Sequence, residues 1–302
     1  MEILIDVILK AGRSAVELSL FILLPVMVVM LSLMRLLEAK GALDWVVAHL
    51  APLLRPLGLT GLGVFAAPVA TLTMMEQRGT SDRHIAATLA MVMAMAQANV
   101  SMPMAAMGLQ FGSVLALSLL GGLVAAALTY YGFGRKLSAE ERPLDETLRH
   151  PVADSAKGVL DVINRAGAEA FRIAVGAIPM LVLSLVAVTA LRAAGAIDAL
   201  TGLLAPLMGA LRLDTALILP TLTKALAGGT AMMGVMDEML RANHATVQFL
   251  NQSAGFMIHP LDIPGVAVLI SAGRRVAAVW KPAVCGALAG VAVRTLGHAL
   301  IG

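Results

Sequence analysis

Long apolar runs interrupted by Pro, Gly, Thr and Asn dominate the chain, and within them polar and apolar positions do not alternate. Residues 14–34, 103–132 and 174–191 form long, predominantly apolar stretches. At ~1.5 Å per residue in a helix, such stretches cross all or most of a hydrocarbon layer of roughly 30 Å. The absence of a two-residue period favours helices over a barrel. In the first half the pattern predicts apolar elements at 14–37, 43–54, 58–77, 84–98 and 104–131. In the second half it predicts them at 171–191, 197–211, 215–236, 245–256, 265–272 and 282–300. The segment 265–272, held between Pro264 and Gly273, is too short to span and fits a half-helix or one arm of a re-entrant hairpin.

The breaks recur. Pro25, Gly41-Ala42, Asp44 and Ala51-Pro52 return at an offset of 154 as Pro179, Gly195-Ala196, Asp198 and Ala205-Pro206. Further on the offset becomes 150, setting Thr71, Thr73 and Gly79-Thr80 against Thr221, Thr223 and Gly229-Thr230. At offset 152, Asn99 and Ser101 fall on Asn251 and Ser253. Two homologous halves with breakers at matching points are a pattern of membrane transporters, whose sites form where the repeats meet. The expected organisation is a first membrane repeat at 1–133, a hydrophilic linker with a candidate amphipathic helix at 134–166, and a second repeat at 167–302. The repeats are inverted if each half crosses an odd number of times, and parallel otherwise.

Composition supports this assignment. Hydrophobic residues make up 59% of the chain and charged residues 14%, with a mean hydropathy of +0.87, more apolar surface than an ordinary soluble core hides. The expected class is an all-α, polytopic integral membrane protein with broken or re-entrant helices. The net charge of +3 argues for no nucleic acid, because basic residues here set orientation and meet anionic headgroups. Arg35, Lys40, Arg135, Lys136, Arg274, Arg275 and Lys281 read as cytoplasmic, whereas Lys10 and Arg13 pull the other way. The first apolar run is too long for a signal peptide and reads as a retained anchor. The single Cys285 excludes an internal disulfide and a thiolate cluster.

Candidate chemistry sits at the breaks. Pro220, Thr221, Thr223 and Lys224 run into Gly228, Gly229 and Thr230, so backbone groups come free within apolar sequence and require a ligand or a water-filled cavity. The first-half counterpart holds Thr71, Thr73, Glu76 and Gln77. The two segments are expected to meet and present hydroxyls, amides and one charge of each sign to a small polar solute. The alternative is that the charges snorkel and the threonines bond their own helices. Asn99, Ser101, Asn251 and Ser253 add amides and hydroxyls suited to uncharged polar ligands, or to interhelical hydrogen bonds. Asp262 with His259 is a candidate for coupling to Na⁺ or H⁺, and no metal site or other cofactor is expected. The methionines, dense at 91–107 and 232–239, read as packing between helices. Walker, zinc-protease and nucleophile-elbow motifs are absent, and an enzyme is not expected.

Over residues 17–131 and 171–300 the chain resembles the Gate-domain family, also called the nucleoside recognition family. That family includes the spore maturation proteins A and B, with related domains in ferrous-iron and concentrative nucleoside transporters. The resemblance rests on the repeated Pro and Gly-Ala-x-Asp marks, on Ala51-Pro52 and Ala205-Pro206, and on the stretch 270–290 with its Gly273, Arg274, Arg275 turn and Gly/Ala-rich final span. Where family members carry a Gly-Ser-x-x-Thr-Thr stretch, this chain has residues 256–264 with His259, Pro260, Asp262 and Pro264. The resemblance implies a permease-like transporter of a nucleoside or related metabolite in a bacterial inner membrane. The rival expectation is a non-transporting scaffold that binds a membrane partner protein, and either form could assemble as a homo-oligomer.

Overall fold

The computed structural model describes residues 2–40, 68–140, 158–210 and 214–301. The repeat marks Gly41-Ala42, Asp44 and Ala51-Pro52, and the element expected at 43–54, lie outside these residues. All regular elements among the described residues are helical.

Pro25 shapes the first of them. Helix α1 (Glu2–Glu17) passes through a π-helical segment (Leu18–Leu23) into α2 (Leu24–Ala39), and the Leu24 amide reaches back five residues to the Ser19 carbonyl. The wide turn accommodates a proline ring that would otherwise collide with the carbonyl four residues earlier. The hydroxyl of Ser19 donates to the carbonyl of Ala174 on the long helix α7 (Val159–Ala193), along which α1 and α2 both pack. This helix starts within the stretch expected to be linker and carries Pro179 inside it. Gly195 then turns the chain at φ +70°, and α8 (Ala196–Ala210) follows, so that 185–191 and 196–206 form a pair bent by 73°.

The first half continues with α3 (Pro68–Gln77), α4 (Asp82–Ala94), α5 (Ala98–Ala105) and α6 (Phe111–Leu128). The second half holds α9 (Ile218–Ala227), α10 (Gly229–Arg241), α11 (Val247–Met257), α12 (Ile263–Ile270), α13 (Arg274–Ala278) and α14 (Trp280–Ile301). Among the described residues, three stretches are long and apolar enough to cross a membrane: Asp82–Ala105, Phe111–Phe133 and Trp280–Ile301. The protein is an integral membrane protein.

Two apolar clusters hold the helices. One joins α4, α6 and α14 with residues of α3, α12 and α13. The other joins α1, α2 and α7 with α5, α10 and α11, and much of its volume is methionine, including Met27, Met104, Met232, Met233, Met236 and Met257. Unbranched thioethers fill gaps between helices that meet at irregular angles. Helix α14 lies against α6 because both lack side chains at the crossing. A Cβ on Gly121 would come 2.7 Å from the Gly290 carbonyl oxygen, and one on Gly290 would come 2.8 Å from the Ala125 Cβ. The small-xxx-small pair Gly286 and Gly290 is thus a packing surface.

Candidate functional site

Three helix breaks converge at one place in the fold. The chain leaves helical geometry at 95–97 between α4 and α5, at Gly228 between α9 and α10, and at 258–262 between α11 and α12. Gly228 has φ +85° and ψ 177°, a backbone conformation that a side chain makes costly. It lies against the third break, where an added Cβ would be in ordinary contact with Asp262 Oδ1 at 3.8 Å and the Pro264 ring at 3.7 Å. The next residue, Gly229, faces the first break, where a Cβ would stand 2.8 Å from Gln97 Oε1 and 3.0 Å from Val100 Cγ2. A first-half break and two second-half breaks therefore meet around a glycine pair.

Charge at this junction is concentrated in one ion pair. Lys224, in the last turn of α9, donates from Nζ to Asp262 Oδ2 at 3.0 Å, and the two residues are 4% and 8% exposed. The other carboxylate oxygen, Oδ1, accepts from the Gly265 amide at 2.8 Å and caps α12. Asp262 thus serves as a counter-ion and a helix cap at once, which is how a carboxylate tolerates burial. His259, 5% exposed, accepts the Leu261 amide at Nδ1 over 3.1 Å, while its Nε2 has no partner.

The other two helix starts at the junction are open. Gln97 stands at the N-cap of α5 and Gly228 at that of α10, and neither supplies a capping side chain. The first-turn amides at both receive no side-chain cap, and the positive end of the helix dipole lies there. Among the described residues, the half-buried side chains of Gln97, Asn99 and Thr230 bond no other protein group. With His259 Nε2, they are polar groups at the junction that the protein leaves unbonded.

Other candidate residues are committed to the structure. Thr221 and Thr223 donate to the carbonyls of Leu217 and Leu219 at 2.6 and 2.9 Å, and Ser101 donates to that of Gln97 at 2.9 Å. Ser253 makes a 3.3 Å bond to the Leu250 carbonyl. Asn251 is fully engaged, accepting from the Gln110 amide and donating to the Gly108 and Val247 carbonyls, and so fastens the α5–α6 turn to α11.

Glu76 and Lys224 are engaged separately, on helices that both pack on α12. Glu76 accepts from the amides of Arg275 at 3.2 Å and Val276 at 3.5 Å, capping α13. Its carboxylate occupies the space where a Cβ on Gly273 would stand. Thr73 donates to the Ala272 carbonyl at 3.0 Å, Thr71 is half-buried on the same helix, and Gln77 is exposed. Arg275 extends this first-half to second-half contact by donating to Asp82 Oδ1 from Nε at 2.8 Å and from Nη2 at 2.6 Å.

The sequence reading passed over two buried groups on the final span, Arg294 and His298. Arg294 is fully buried and donates from Nη1 to the Ala94 carbonyl at 2.6 Å, at the end of α4 where the first break begins. The available signal was a lone arginine in the middle of an apolar span. Among the described residues, no group of three or more His, Cys, Asp or Glu side chains could hold a metal ion.

This arrangement of broken helices has solved counterparts. The fold is similar to that of concentrative nucleoside transporters. One double variant of CNTnw in an outward-facing state aligns with a TM-score of 0.67 and 16% identity, covering 92% of this chain and 75% of that chain. A second outward-facing double variant gives 0.66 and 16%, covering 100% of this chain and 85% of that one. No family model matches the chain, and no curated protein matches it. The likeness extends to the fold of this distant group, which the sequence resemblance included.

Proposed function

We propose that the protein is a membrane transporter that binds a small polar solute at the converging breaks and exposes it alternately to the two sides. The observation that carries this reading is the meeting of breaks from both halves around Gly228-Gly229, with Gln97, Asn99 and Thr230 left without protein partners. Irregular backbone at membrane depth is tolerated where it lines a cavity or binds a ligand. The outward-facing neighbours support the transport reading, and their substrate makes a nucleoside or related metabolite the first class to try. Lys224 and Asp262 hold the α9 and α12 ends in place, and Asp262 is the candidate for ion coupling. The bacterial inner membrane is the proposed location.

Uptake into proteoliposomes tests the reading. A solute that raises the melting temperature of the detergent-purified protein in a concentration-dependent way is expected to accumulate in loaded vesicles. Lys224→Ala should abolish uptake, whereas Lys281→Ala, at an exposed position, should leave it intact. Equal tolerance of both substitutions would remove the site from the break region. No uptake of any solute together with a stably co-purifying protein would favour the scaffold.

A further inference from the structure

Among the described residues, the fully buried charged side chains are Lys224, Asp262 and Arg294. Lys224 and Asp262 neutralise one another, which leaves one buried positive charge without a carboxylate. The guanidinium of Arg294 donates once, to the Ala94 carbonyl, and the negative end of α4 takes up part of its charge. Its Nε and Nη2 have no acceptor. An arginine cannot shed its proton to escape this situation, and a buried donor left unpaired is costly.

His298, also buried, lies one turn from Arg294 along α14. His259 Nε2, on the third break, is another buried polar atom without a partner. The Ala94 carbonyl that holds Arg294 opens the break leading to the uncapped start of α5, which faces the uncapped start of α10 across Gly229. The unpaired guanidinium donors and the two open helix starts share one sign of potential.

We infer that the solute bound at the converging breaks carries a negatively charged group, a carboxylate or a phosphate, that meets Arg294 and the open amino ends of α5 and α10. The inference rests on the transport reading above and narrows its solute class. A planar guanidinium with free Nε and Nη2 matches the two oxygens of either group, and the negative charge strengthens both bonds over those a neutral solute makes. Asn99, Gln97 and Thr230 then read the uncharged remainder. The anion completes the charge balance of the interior, so the loaded carrier is the electrically compensated form.

Matched neutral and anionic probes test this on the unmodified protein in phosphatidylcholine proteoliposomes: uridine against uridine 5′-monophosphate, glycerol against glycerol 3-phosphate, and acetamide against acetate. At least one anion is expected to be preferred over its neutral partner by about tenfold or more. Arg294→Gln should erase the preference and Arg294→Lys should restore part of it. If Arg294→Gln fails to fold, the wild-type comparison and the Lys variant still decide. Uptake of a neutral probe equal to or better than its anion overturns the inference and leaves the transport reading standing. Uptake of none overturns both. Stabilisation by phosphatidylglycerol without an effect of any soluble anion assigns the compensating charge to a lipid headgroup and overturns the solute assignment.

Discussion

A lysine buried in apolar surroundings is tolerable only with its counter-ion, and Lys224 has Asp262 at 3.0 Å. Removing one member leaves an uncompensated charge, so Lys224→Met or Asp262→Leu alone is expected to cost about 3–5 kcal/mol. The double variant should recover most of that loss. Denaturation of the four proteins in one detergent gives the coupling directly, and additive losses would show that the pair does not act as a unit. Both residues stood out in the sequence as ionisable groups in apolar stretches. Their partnership did not, because 38 positions and two helix breaks separate them. The sequence suggested Glu76 as the opposite charge beside Lys224, and in the fold that carboxylate caps α13. Thr221 and Thr223 illustrate the same limit: a hydroxyl in an apolar helix bonds either its own backbone or a ligand, and the side-chain rotamer decides which.

Helix starts and stops were more legible, since proline and glycine act on their own backbone. The expected break in 215–236 falls at Gly228, and the short segment at 265–272 forms as α12, Ile263–Ile270. Gly228→Ala should cost about 1–3 kcal/mol, because φ +85° with ψ 177° is open essentially to glycine alone. The melting temperature measures that loss, and an unchanged value would mean that the break relaxes to another geometry. At the crossing of α6 and α14, Gly290→Leu inserts atoms where Ala125 Cβ and Ala94 Cβ already stand. A loss of about 1–3 kcal/mol is expected there from overpacking. Gly12→Leu, at a position with open space around it, is the matched control for the same measurement.

Across the molecule, the two halves are joined by a polar clamp as well as by apolar packing. Thr73, Glu76 and Asp82 from the first half hold Ala272, Arg275 and Val276 of the second. Arg275→Ala removes the donors to Asp82 and to the Thr80 carbonyl and should cost about 1.5–3 kcal/mol. Arg275→Lys should fail to rescue it, since an ammonium lacks the fork that reaches both acceptors. Rescue by lysine in the melting experiment would reduce the contact to simple charge attraction.

The sequence by itself determined the solvent and the repertoire of elements. So much apolar sequence, without a two-residue period, can satisfy its backbone in a membrane only as helices, and its prolines and glycines interrupt those helices through local sterics. Tertiary structure alone decided which polar groups are spent on the protein and which are left for a solute. Asn99 and Asn251, paired in the sequence at an offset of 152, make the point: Asn251 fastens the α5–α6 turn, and Asn99 stays unbonded at the junction. A hydrogen bond or an ion pair is a relation in space between residues far apart in the chain, and no local pattern encodes its partner.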